Sequence, residues 1–127
     1  MGLLYTLLTS LFLTFQPVQT VPYSKLVSAF EQNNADAIVS MSKDKVLINI
    51  QGTEGAYSKS QAILVLKDFF TKKPGNSFDF IFKGQESSEG SFAIGTYLSK
   101  NEKFRVTIHF KKMGGDFKIE SLSIEKS

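Results

Sequence analysis

Cysteine and tryptophan are absent from this 127-residue sequence, and it has a single histidine. Without cysteine there is no disulfide scaffold, no thiolate metal site, no thiol nucleophile and no lipidated-cysteine anchor. A lone histidine excludes a multi-histidine metal centre within one chain. No metal site and no cofactor is expected. Arginine is equally scarce: Arg105 stands alone, and every other basic residue is lysine. The lysines are scattered among acids, and no basic run exceeds the pairs Lys72-Lys73 and Lys111-Lys112. Nucleic-acid readout leans on the arginine fork. The excess of 15 basic over 12 acidic side chains, net +3, therefore reads as solubilising surface, with no nucleic-acid partner.

Charge is missing from the start of the chain as well. No charged side chain precedes Lys25. Leu3 to Phe15 form an apolar stretch, but a membrane-spanning helix needs about 20 apolar residues. A short apolar run followed by Gln16-Pro17 matches a secretory signal. Residues 1–20 are expected to be that signal, with cleavage after Val18-Gln19-Thr20. The alternative readings are an uncleaved N-terminal anchor or an internal core helix. Export would deliver residues 21–127 to the periplasm or outside the cell as one domain, not an integral membrane protein. That body carries all the charge and most of the 12 phenylalanines. At 42% hydrophobic and 21% charged overall, the chain has ordinary globular composition.

Local patterns then order the body. Pro22 suits a first helical position, and Tyr23, Leu26, Val27 and Phe30 form a stripe at helical spacing, so a helix is predicted from Pro22 to Gln32. A short helix follows over Ala35 to Met41, with Asn33 and Asp36 as its capping signal. Lys45 to Ile50 is a strand, Gln51 to Gly55 a turn, and Ala56-Tyr57 a possible very short strand. Ser58 and Gln61 make a capping box for a helix running to Lys72, whose buried stripe is Ala62, Ile63, Leu66, Phe69 and Phe70. Lys72 and Lys73 complement its C-terminal dipole, and Pro74-Gly75 end it.

Everything after Gly75 reads as strand, in an antiparallel meander. Alternation assigns Phe78, Phe80, Phe82, Phe92, Ile94, Leu98, Phe104, Val106, Ile108 and Phe110 to the inner face. Thr96 is the one polar residue of that row. Asp79, Arg105, Thr107, His109 and Lys111 fall outside. In the last strand, Phe117 and Ile119 share one parity while Leu122 and Ile124 take the other. A strand changes face only by inserting a residue, so a bulge is predicted at Glu120-Ser121.

The order of elements makes an α+β fold: a strongly bent antiparallel sheet of about four to six strands wrapped around about three helices. It resembles the nuclear transport factor 2-like, or cystatin-like, superfamily. Within it the chain is similar to a family of small exported Gram-negative bacterial proteins known as a domain of unknown function. The resemblance rests on Ala29-Phe30, Asn34-Ala35, the stretch Glu54 to Ala62, Leu66 to Phe70, Ala93-Ile94-Gly95, Phe104-Arg105-Val106 and Leu122 to Glu125. It covers residues 22 to 126. It implies the cone-shaped fold and no activity, since the superfamily includes enzymes, transport adaptors and immunity proteins.

Candidate sites follow from the parity. A pocket or filled core between helices and sheet would be lined by Phe30, Phe69, Phe80, Phe92, Thr96 and Phe104. No ionisable side chain is predicted to enter it, which favours a packed core. His109 is the best single catalytic candidate, because histidine is the one side-chain type whose unperturbed pKa lies near neutrality, with Asp79 or Tyr97 as helper. Its competing role is an exposed strand histidine at a dimer face. Tyr57 beside Glu54 could form a pocket mouth, although a turn, packing and a cap explain that motif equally. Glu86 is a further loop carboxylate. The outer face, with Ile81, Ala93, Gly95, Tyr97, Thr107 and His109, suits a homodimer or a protein partner. The expected function is a non-enzymatic module of the cell envelope that binds a small apolar ligand or a protein. The competing expectation is a small isomerase- or dehydratase-type enzyme.

Overall fold

The computed structural model describes residues 20–127. Of the expected signal segment, all but Thr20 lies outside the described residues. Helix α1 spans Tyr23–Glu31 and α2 Ala35–Ser40. Strands β1 (Ser42–Ile50) and β2 (Thr53–Ser58) follow, then α3 (Lys59–Lys72). The chain ends in β3 (Ser77–Lys83), β4 (Gly90–Ser99), β5 (Glu102–Met113) and β6 (Asp116–Lys126). This is the order read from the sequence. The second strand is longer than expected, because the turn before it needs only Gln51-Gly52, both at positive φ. Among the described residues no helix is long and apolar enough to cross a membrane.

The six strands form one curved, unclosed sheet in the order β2-β1-β6-β5-β4-β3. Neighbours run antiparallel except β1 and β6, which are parallel. Parallel neighbours need a long crossover, and here it carries α3 over one face. All three helices pack on that face, where they bury Leu26, Phe30, Ile38, Leu66 and Phe69 against the sheet.

Helix starts follow short-range chemistry. Ser58 Oγ accepts the Gln61 N–H at 3.3 Å and Gln61 Oε1 accepts the Ser58 N–H at 3.1 Å, completing the expected capping box. The cap of α2 is Asn34, whose Oδ1 accepts the Ala37 N–H at 3.0 Å. Asn33, expected there, instead takes φ +54° and turns its carboxamide to the backbone of Gly75.

Two bulges interrupt the antiparallel ladders. Phe110 pairs with Ile119 and His109 with Ser121, so Glu120 is the extra residue the parity of β6 demanded. Phe117, Ile119, Leu122 and Ile124 are consequently all buried. The second bulge, at Ile81, was not foreseen. Phe80 pairs with Gly95 but Phe82 with Ile94, which turns Phe82 out of the core.

Strand β4 corrects the expected faces. Ala93, Gly95, Tyr97 and Ser99 are buried, and Phe92, Ile94, Thr96 and Leu98 lie on the outer surface. The register with β5 enforces this: Tyr97 sits opposite Phe104, and Phe92 opposite His109. The small residues face inward because aromatic rings occupy the space above them. A Cβ on Gly95 would collide with the Phe78 ring, and that ring stacks on Phe30 with centroids 4.4 Å apart.

The interior is filled by this aromatic cluster. Phe69 meets Phe104 edge-on at 5.3 Å, and Phe70 meets Tyr97 at 5.7 Å. Tyr97, expected at an interface, is 0% exposed. Its hydroxyl donates to the Lys73 carbonyl at 2.7 Å, with Asn33 Oδ1 at 3.0 Å. Ser99 Oγ donates to the Pro74 carbonyl at 2.6 Å. Together Asn33, Tyr97 and Ser99 tie down the loop that follows α3. Burial pushes the Tyr97 hydroxyl up to about 12.

Candidate functional site

Phe30, Phe69 and Phe104 are packed within the core and Phe80 closes its rim. No Asp, Glu, His, Lys or Arg is among the buried residues described, and Tyr97 is the one buried group there that can ionise. Interest therefore shifts to the sheet face turned away from the helices.

Cross-strand neighbours share a face, so the pairing writes that surface as rows. One row runs Phe82, Ile94, Thr107, Ser123, Asn49, Glu54. The next runs Phe92, His109, Ser121, Leu47, Ala56. A third runs Asp79, Thr96, Arg105, Glu125. Thr96 and Phe92, expected inside, are thus surface residues. Ile81, Thr107 and His109 lie outside the core as the sequence suggested, with Ile81 63% exposed.

The rows are small in the middle and large at the margins. Thr107, Ser121, Ser123 and Ala56 leave an open trough of about 760 Å³ between Leu47, Glu54, Arg105 and His109. Its floor is hydroxyl-rich. Asn49 Nδ2 donates to Glu125 Oε1 at 3.3 Å, and Asn49 Oδ1 accepts the Gly52 N–H at 2.9 Å. The trough thus carries an arginine, two carboxylates and the only histidine.

Beside the trough lies an exposed aromatic patch. Phe82 and Phe92 have centroids 5.2 Å apart, and Phe92 stacks on His109 at 5.6 Å with planes 20° apart. Phe82 is 46% and Phe92 37% exposed. Parity counting missed this patch, because it assigned both rings to the core. The signal that could have found it is the pairing of β4 with β5, which sets Phe92 opposite a histidine.

The catalytic candidates are only partly brought together. His109 and Glu54 both line the trough. Tyr57 does not: its ring covers Gly55 and faces a separate groove against Leu64 and Phe69 of α3. Tyr97 is buried on the opposite face and cannot assist His109. No side-chain hydrogen bond orients His109 among the described residues, and the trough is open to water. A general base needs both an orienting partner and a positioned substrate. Among the described residues no three of His, Asp and Glu gather as metal ligands would. Glu86, the loop candidate, accepts the Val21 N–H at 3.2 Å, far from the trough.

The profile of "Domain of unknown function (DUF4783)" matches residues 23–125. Solved structures agree. A DUF4783 family protein from Bacteroides ovatus is 29% identical with a TM-score of 0.79, covering 86% of this chain and 97% of its own. One from Bacteroides uniformis is 28% identical with a TM-score of 0.78, covering 85% and 98%. A domain of unknown function with a cystatin-like fold from Nostoc punctiforme shares the fold at 10% identity, TM-score 0.65, over 83% and 72%. No curated protein matches the chain.

Proposed function

The chain belongs to the DUF4783 family of nuclear transport factor 2-like domains, and from that premise we propose that it is an exported, non-enzymatic binding module of the cell envelope. The outer sheet face is its working surface. The observation that carries this reading is the contrast between the two faces. Among the described residues the inner one is filled with aromatic side chains and buries no carboxylate, histidine, lysine or arginine. The outer one carries a polar trough beside an exposed aromatic patch. Interface centres combine such features: aromatic anchors with hydrogen-bonding groups around them.

The occupant is a protein, a second copy of this chain included, or a small apolar ligand. A twofold-related copy suits the face because it bears both signs of charge, Arg105 with Glu54 and Glu125, as a self-complementary patch requires. Sedimentation equilibrium of wild type and Phe92→Glu separates these cases. A dimer that Phe92→Glu dissociates supports the copy. A wild-type monomer at every concentration removes it and leaves a different protein or a small ligand.

A second reading, the isomerase- or dehydratase-type enzyme, draws on the shared location of His109 and Glu54 in the trough. It would require proton transfer from a water-exposed imidazole. Deuterium exchange next to the carbonyl of a cyclic enone, faster with wild type than with His109→Ala, would support it. Equal rates would remove it.

A further inference from the structure

The α1 end of the fold carries a contact that the binding face does not explain. Val21 is 3% exposed and belongs to the core, whereas Thr20 is exposed. Among the described residues, packing therefore begins at the residue that follows the expected cleavage point. The Val21 backbone nitrogen donates to Glu86 Oε1 at 3.2 Å, across 65 residues of chain. Helix α1 has no side-chain cap at Pro22 and no acidic residue in its first turn. A helix N-terminus favours nearby negative charge, and Glu86 brings it from the β3–β4 loop.

We propose that Thr20–Val21 is the processing junction and that Glu86 is the receptor for the new N-terminus. This rests on the export expectation and is independent of what the outer face binds. Hydrolysis of that peptide bond by a signal peptidase consumes one water. The hydroxyl joins the Thr20 carbonyl, which leaves as a carboxylate. Its proton and the one from water end on the Val21 nitrogen, giving an ammonium. An amide-to-carboxylate hydrogen bond thereby becomes an ion pair, which is the stronger contact. An unpaired ammonium two residues before α1 would oppose the helix dipole, and Glu86 cancels it.

Glu86 acts on Tyr23, beside which Lys83 and Ser91 lie. Tyr23 of α1 lies close enough for the Glu86 charge to raise its hydroxyl further, after burial has raised it. Lys83 of β3 sits 4.7 Å above the Tyr23 ring. Ser91 of β4 donates to the Gly84 carbonyl at 3.1 Å, and the buried Tyr23 hydroxyl has no hydrogen-bond partner among the described residues.

The test expresses the full chain in an exporting Gram-negative host and measures the intact mass of the product. The expected mass is that of Val21–Ser127. An NMR titration of its α-amino group then compares wild type with Glu86→Gln. An ordinary α-amino group titrates near 7.7–8.0. In wild type the value is expected to be higher, and about half a unit lower in Glu86→Gln, the size of a partly exposed ion pair. A product that begins at another residue, an unprocessed chain, or equal titrations in the two proteins would each overturn the proposal. Should Glu86→Gln not accumulate, an unshifted α-amino titration in wild type alone overturns it.

Discussion

Phe92 of β4 stacks on His109 of β5, centroids 5.6 Å apart, on the sheet face the helices leave bare. The pair occupies facing positions of an antiparallel ladder, so neither ring can turn inward without breaking the register of both strands. A phenylalanine held at the surface by register is costly unless something covers it. That is the physical basis for placing function on this face.

If the outer rings serve binding and the inner rings stability, the two sets respond differently to truncation. Phe92→Thr should change unfolding free energy by less than about 1 kcal/mol. Phe69→Ala, which empties a core site among Phe70, Tyr97 and Phe104, should cost about 3–5 kcal/mol. Urea denaturation of both variants checks this.

The Tyr97 hydroxyl is buried and bonded to the Lys73 carbonyl. Tyr97→Phe should cost about 1–2 kcal/mol by leaving that carbonyl without its partner. Tyr97 also predicts an alkaline limit. Its folded value, about 12, lies above the ordinary 10. The stabilisation is fully present below pH 10 and is lost as pH rises toward 12. Thermal melts across that range should decline less steeply for Tyr97→Phe.

Glu120 matters by its presence and hardly by its charge. Its carboxylate meets Lys43 at 3.3 Å with both side chains partly exposed, so Glu120→Ala should cost no more than about 1 kcal/mol. Deleting Glu120 would remove the bulge and turn Leu122 and Ile124 to the outer face. The loss of two buried side chains, about 2 kcal/mol each or more, should prevent stable folding. Circular dichroism of the two variants separates these outcomes.

Gly95 is required for close approach, since any Cβ there meets the Phe78 ring. Gly95→Ala should cost about 1–3 kcal/mol through overpacking. The double variant Gly95→Ala, Phe78→Leu should recover part of it, as a double-mutant cycle would reveal.

The sequence disclosed some of this more readily than the rest. Helices and strands appear in the expected order because each carries its own signal, such as the Ser58–Gln61 box or the alternation from Phe104 to Phe110. The Glu120 bulge was legible because two apolar pairs of opposite parity sit in one strand. The Ile81 bulge was hidden, because Phe78, Phe80 and Phe82 alternate as an unbroken strand would. Strand β4 misled for a related reason. Its larger apolar residues are Phe92, Ile94 and Leu98, while the buried set contains Ala93 and Gly95. Only the rings of Phe30 and Phe78 explain that choice, and they come from distant elements. The trough was not legible at all, for it depends on the parallel pairing of β1 with β6.

The most direct test of the outer-face account maps small aromatic fragments onto the protein by amide chemical-shift perturbation. The account predicts shifts concentrated on Phe92, Ile94, Thr107, His109 and Ser121, and lost in Phe92→Glu. Shifts centred instead on Phe30, Phe69 and Phe104 would show that ligands enter between helices and sheet, and would contradict it.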